Sequence, residues 1–356
     1  MKKTILLLVA IALTSAKMMA EGLTATLQQG ETMTAFYGVN AFVDAYNAAE
    51  NGAVITLSEG QFNDVSSIEK SITVVGNMAF DVEGYEKTYI SSTTVNADNV
   101  TLEGIYFTGN VALGNINNCH IKRCRIGGEL TYINNTTHTN TLIDQCVINK
   151  ENAMPPSRNY CLKNSTINFF GNSNSPEHIA YITNCYICYF DKYNYSYYYQ
   201  PYAIYKNCVL GMDNNGDRSS HTRYLYSPSE FYNNFFYSTT TSWNLTNYYL
   251  GHYFSNGCLN NGNTSSGSSS AYSINSYTGN YIINSFSQIG DDGTPVGMTG
   301  GSGFSPYPSI PRITSKQIDS KTDSEGKLNV KITVSTEETL VKEEKPEDNP
   351  VEEPTE

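Results

Sequence analysis

Six stretches of this chain repeat one local pattern, and no other feature restricts its fold as strongly. They cover residues 121–126, 143–148, 162–167, 182–187, 205–210 and 231–236, each with apolar first and sixth positions and, in nearly every copy, polar second and third positions. The fourth position reads Cys124, Cys146, Ser165, Cys185, Cys208 and Asn234, with steps of 22, 19, 20, 23 and 26 residues. A strand-rich unit recurring every 20 to 25 residues is one turn of a coil that buries its apolar side only by stacking on its neighbours. Positions four and six share parity, so on a strand they face the same side. Position one has the opposite parity and reaches that side only if the chain bends at positions two and three. Position three is Asn164, Asn184, Asn207 or Asn233 in four of the six copies. Asn is the non-glycine residue best suited to the left-handed backbone of a tight corner. Each copy therefore reads as strand, corner, strand. A helix is excluded, because β-branched and aromatic residues dominate and the 3.6-residue period is missing.

Stacked in register, the fourth positions form one interior column, with Ile126, Ile148, Ile167, Ile187 and Leu210 as a second. Position two forms an outer column of Lys122, Asp144, Lys163, Thr183 and Lys206. Buried small thiols explain Cys124, Cys146, Cys185 and Cys208, with Cys119 of inward parity, more simply than disulfides do, although export permits bridges. Cys185 and Cys188 form a lone C-x-x-C whose sulfurs face opposite sides of a strand, with no second pair to complete a zinc site.

The ends differ in character. Lys2 and Lys3 precede an apolar run from Ile5 to Leu13 and small residues at Thr14, Ser15 and Ala16, the pattern of a secretory leader over 1–20. The last twenty residues, 337–356, carry nine acidic residues, two lysines and Pro346, Pro350 and Pro354. Such a stretch buries too little to offset its ordering entropy and reads as a solvated, disordered tail. Between the ends, Phe42, Ala45, Tyr46 and Ala49 lie on one helical face that stops at Asn51 and Gly52. Strand-like stretches follow at 53–57, 59–62, 68–76 and 99–107.

This succession from about 36 to 107 resembles the opening of right-handed parallel β-helix proteins of the pectin-lyase-like superfamily, in which an amphipathic helix caps the first coil. Residues 292–301, 308–313 and 326–334 are similar to the closing segments of secreted Bacteroidetes β-helix proteins, most of unassigned function. The resemblance implies an all-β chain forming a single right-handed parallel β-helix with an N-terminal helical cap. Its organisation is a leader over 1–20, a cap segment over 21–52, the β-helix over 53–290, a closing segment over 291–336 and the tail.

Function is less legible. A net charge of −12 excludes the basic footprint that a nucleic-acid partner requires. No apolar run after the leader is long enough to span a membrane. The leader implies export to the periplasm, cell surface or medium. Active members of the superfamily cut or de-esterify acidic polysaccharides, which suggests a lyase or a hydrolase with paired carboxylates. Gly290, Asp291 and Asp292 resemble a polygalacturonase motif, but its partner motifs are missing and Asp292 reads as a turn with Gly293. No catalytic residue is assigned. Asp213 and Asp217, separated by Asn214, Asn215 and Gly216, are candidates to hold a hard cation such as calcium. Tyr193, Tyr195, Tyr197 and Tyr199 alternate, so a strand presents them on one face, where flat hydroxyl-bearing rings suit sugars; a ladder of stacked tyrosines that stabilises the sheet is the other reading. The expectation is an exported β-helix protein that binds complex carbohydrate through this Tyr-rich flank, with no catalysis established. The alternatives are an enzyme acting on acidic polysaccharide and a structural or adhesive module.

Overall fold

The computed structural model of the chain describes residues 22–133, 138–151, 157–158, 161–170, 180–189, 203–212, 230–238, 259–261, 264–266, 288–309, 312–318 and 330–335. The chain forms two compact units, Met1–Pro308 and Ser309–Glu356. Among the described residues it is nearly all strand, with one helix.

The first unit is a parallel β-solenoid. An antiparallel hairpin of β1 (Thr24–Gln29) and β2 (Thr32–Tyr37) precedes helix α1 (Ala41–Ala48) and strand β3 (Val54–Leu57), which pairs antiparallel with β1. From β3 the first sheet continues as parallel rungs through Thr73–Val75, Thr101–Glu103, His120–Lys122, Leu142–Asp144, Cys161–Lys163, Ala180–Thr183, Ala203–Lys206 and Glu230–Tyr232 to Leu259–Asn261. A second sheet stacks the complementary strand of each turn, including Thr88–Ile90, Tyr106–Phe107, Arg125–Tyr132, Val147–Glu151, Thr166–Phe170, Tyr186–Tyr189, Val209–Met212 and Phe235–Ser238. The long strand Arg125–Tyr132 also pairs with Val111–Leu113, so its second half belongs to a further run of parallel strands. The hairpin has no counterpart among the sequence expectations.

Register follows the repeat residue by residue. In the first sheet Ile121, Ile143, Leu162, Ile182, Tyr205 and Phe231 stand opposite one another in turn, all buried. In the second sheet Ile126, Ile148, Ile167, Ile187, Leu210 and Phe236 do the same. The Tyr205 and Phe231 rings stack at 4.8 Å and 8°. The outer column also forms, with Lys122, Asp144, Lys163, Thr183 and Lys206 paired in order.

All six corners bend where position three falls. Arg123, Gln145, Asn164, Asn184, Asn207 and Asn233 have φ between 46° and 56°, so the two copies without asparagine adopt the left-handed backbone as well. Gly104 takes the same conformation one rung earlier at φ 68°. Elsewhere in three successive turns, Asn99, Asn118 and Asn140 form a second left-handed column. There the Asn140 amide donates to Asn118 Oδ1, and that of Asn118 to Asn99 Oδ1, each at 3.0 Å. The 19- and 22-residue spacing of these asparagines was the available signal for this ladder.

The interior thiols are free. Cys119, Cys124, Cys146, Cys185 and Cys208 are buried, Cys161 is half-buried, and none of the six is bridged. Each marker sulfur sits against the carbonyl of the preceding rung, as Cys146 Sγ does at 3.4 Å from Ile121 O and Cys208 Sγ at 3.4 Å from Ile182 O. The polar exceptions are satisfied by the same backbone. Ser165 Oγ donates to Lys163 O and accepts from Cys146 N, while Asn234 Nδ2 donates to Tyr205 O and its Oδ1 accepts from Cys208 N. A hydroxyl or an amide replaces a thiol in this column without leaving a polar atom orphaned.

Helix α1 packs Ala41, Phe42 and Ala45 into the core. Its carboxyl end is held by Lys70, whose ammonium donates to Tyr46 O, Asn47 O and Ala49 O at 2.8, 3.2 and 2.8 Å. A cation at the negative end of the helix dipole is favourable there.

Residues 288–308 run back along the corner column, past progressively earlier rungs. Gln288 Nε2 donates to Asn233 O, Asn207 Nδ2 to Asp291 Oδ1, and Asn184 Nδ2 to Asp292 Oδ2. Farther along, Asn164 Nδ2 donates to Met298 O and Gly300 O, and Ser305 N to Gln145 Oε1. Pro308 reaches Gly104, where any β-carbon would collide with its ring. This strap changes the outside of the second sheet. Val147, Thr166, Tyr186, Val209 and Phe235 have outward parity yet are buried, as are Val296 and Met298 of the strap, and Thr166 Oγ1 donates to Met298 Sδ. The solenoid thus has an outer apolar layer besides its interior.

The second unit contains an antiparallel pair, Arg312–Ile318 with Val330–Ser335, whose register shifts between Ile313 and Ser315.

Candidate functional site

The strap leaves the earlier rungs of the outward row of the second sheet accessible. Tyr89, Tyr106 and Arg125 stand opposite one another on adjacent strands and are half-buried. Parity requires their outward direction, since Ile90, Phe107 and Ile126, one residue on, fill the interior. The tyrosine rings lie 5.4 Å apart at 45°, and the Arg125 guanidinium sits 4.6 Å from the centroid of Tyr106. Lys87 lies 5.7 Å from the centroid of Tyr89. Asp81 joins the two cations, pairing with the Lys87 ammonium and, at 3.2 Å, with Arg125. Burial works against the Lys87 charge, but the hydrogen bond and negative charge of Asp81 outweigh it and hold the ammonium above its usual range.

The surroundings fix this cluster. Gly127 leaves room for the phenol, because a β-carbon there would stand 3.2 Å from Tyr106 Cε2. Phe80 meets Phe304 edge-on at 5.3 Å, and Tyr85 meets Tyr307 at 5.6 Å, so the strap closes one side of the patch. The result is a firm aromatic surface with flanking cations and one carboxylate. It can stack on a flat ligand, donate hydrogen bonds from phenol and guanidinium, and accept at Asp81.

A second charged group lies at the corner. Arg123 donates to Glu103 at 2.7 Å and to Gln145 Oε1 at 3.1 Å, and the strap amide of Ser305 shares that same Gln145 oxygen. These bonds lock corner to strap, which makes the group structural. Beside it, burial pushes the Asp144 carboxyl up, opposed by Lys163 at 3.6 Å and then by Arg123 and Lys122.

Tyr193, Tyr195, Tyr197 and Tyr199, and the pair Asp213 and Asp217, lie outside the described residues. Asp292 forms the turn expected of it: its Oδ1 accepts from Thr294 N and Oγ1 at 2.9 and 2.7 Å, and Gly293 has φ 76°. Among the described residues no three His, Cys, Asp or Glu side chains are grouped so as to hold a metal ion, and no helix is long and apolar enough to cross a membrane. Sequence reasoning missed the cluster of Asp81, Lys87, Tyr89, Tyr106 and Arg125. Its signal was the shared parity of Tyr89, Tyr106 and Arg125, obscured because the first two precede the clear repeats. No family model, curated protein or solved structure matches the chain.

Proposed function

We propose that this chain is an exported, non-catalytic protein that binds complex carbohydrate on the outer face of its second sheet. The observation that supports this reading is the row of Tyr89, Tyr106 and Arg125 on three adjacent rungs, with Asp81 and Lys87 beside it. Rungs lie ~4.8 Å apart, so the row spans about 10 Å, the length of a short oligosaccharide. Tyr193, Tyr195, Tyr197 and Tyr199, which alternate in the sequence, are the other rings this reading assigns to carbohydrate. The positive charge of Arg125, shared with Asp81, favours sugars bearing carboxylates.

The proposal includes a right-handed parallel β-helix of the pectin-lyase-like kind with α1 as its N-terminal cap. Support for the hand is general, since crossovers between parallel strands of one sheet are right-handed in nearly all proteins. Support for the cap is the burial of Ala41, Phe42 and Ala45 beside the first rungs.

The test is a glycan array followed by calorimetry with wild type, Tyr89→Ala and Arg125→Gln. Wild type should bind at least one oligosaccharide, and each variant should weaken it roughly tenfold, about 1.4 kcal/mol, with unchanged thermal unfolding for Tyr89→Ala. Absence of binding by wild type, or variants that bind as tightly as wild type, would sink the reading.

A further inference from the structure

Among the described residues the strand β2 is the outermost strand of the first sheet, paired on one side with β1. Its free side can be deduced from the ladder. Gly38 N donates to Leu23 O, so the antiparallel positions that exchange hydrogen bonds with β1 are Phe36, Thr34 and Thr32, opposite Ala25, Leu27 and Gln29. The alternate residues Met33, Ala35 and Tyr37 therefore point their backbone N–H and C=O groups away from β1. The same three residues are exposed, Met33 at 68% and Tyr37 at 50%, and Val39 beyond them at 54%. Sheet edges are ordinarily protected by charge, proline or a bulge. Residues 32–37 contain no charge and no proline, and their pairing with β1 is unbroken.

We infer that β2 is a self-association edge, on which a second copy of this chain pairs antiparallel through its own β2 about a two-fold axis at Ala35. The occupant follows from complementarity. With Ala35 opposite its counterpart, Met33 of each copy meets Tyr37 of the other, a sulfur–aromatic contact. All three free backbone positions on each side then exchange hydrogen bonds. Glu31, the nearest charge, falls opposite the exposed Val39 of the other copy, so no like charges meet. The small Ala35 side chain at the axis allows close approach, and the first sheet continues uninterrupted from copy to copy. One strand a side is a small interface, which makes this a concentration-dependent dimer rather than a permanent one. With a net charge of −12, whole molecules repel each other while the edge is neutral, so salt should strengthen the dimer by screening.

Sedimentation velocity on the purified protein, from ~1 to ~100 µM, tests this. Wild type should double in mass across the range, and more readily at high salt. The Ala35→Lys and Ala35→Glu variants should each stay monomeric with unchanged thermal unfolding, since position 35 is exposed and like charges would meet at the axis. Mixing the A35K and A35E variants should restore the dimer, a result that only the register with position 35 opposite itself yields. A wild type that is monomeric throughout, a dimer indifferent to both variants, or a mixture that fails to reassociate would overturn the inference. Pairing of the edge with an extended peptide in place of a second copy would appear as the first of these outcomes.

Discussion

The left-handed corners show how single residues decide this fold. Asparagine adopts φ near 55° at less cost than other side chains with a β-carbon, and in the column of Asn99, Asn118 and Asn140 its amide then bonds its counterpart one rung away. Replacing Asn118 by alanine keeps the corner but loses the side-chain preference and both amide bonds, so N118A should lower stability by about 2 kcal/mol in urea denaturation. N118G restores the backbone freedom and should cost less. The thiols supply a second test. Burial pushes Cys119 and Cys146 up to about 12, so at pH 8 both remain protonated as well as inaccessible. Alkylation followed by peptide mass analysis should label Cys161 well before Cys119, Cys124, Cys146, Cys185 or Cys208, all of which should react only after unfolding.

Elements are joined here by a few long-range polar contacts. Lys70, from the second turn, closes the carboxyl end of α1 and lies 4.8 Å from the Tyr46 ring centroid. Lys70→Met retains the side-chain stem but removes the cation, and should cost about 1–2 kcal/mol, read as a lower urea midpoint. The strap is held differently. Lys206 and then Asn207 hold the Asp291 carboxyl below its usual range; burial raises that of Asp292, but Thr294 and Asn184 prevail and lower it. Carboxyls lowered by folding contribute stability that is fully present above their unfolded value of 3.8 and is lost as pH falls through the depressed folded values. Acidification below about pH 3.8 should therefore loosen the strap. Hydrogen exchange should show loss of protection at Gly297 N–H, which donates to Asn207 O at 2.8 Å, before the interior rungs open.

At the scale of the molecule, a stack of rungs in contact only with their neighbours unfolds by nearly independent steps. The strap spans rungs from Asn233 back to Gly104 and ties them together. Removing residues 288–356 should expose Val147, Tyr186, Val209 and Phe235, raise binding of a hydrophobic dye, and broaden a single denaturation transition into several. What the sequence determined alone is the periodic part. The parity of positions four and six, the polar second and third positions and the asparagines specify strand, corner and strand, because these are local demands on backbone torsion and side-chain direction. Even Arg123 and Gln145, which lack the asparagine signal, were placed at a corner by the spacing of their neighbours. The tertiary structure alone decided which outward residues meet water. Parity says that Val147, Tyr186 and Arg125 leave the interior, but only the return of residues more than a hundred positions downstream buries the first two and leaves the third on an accessible patch. Nothing local encodes that return, because the strap makes its contacts through turns, single amides and small residues rather than through any period. The candidate site shares this origin, for Asp81 meets Arg125 across forty-four residues of chain, a distance that only the stacking of rungs can close.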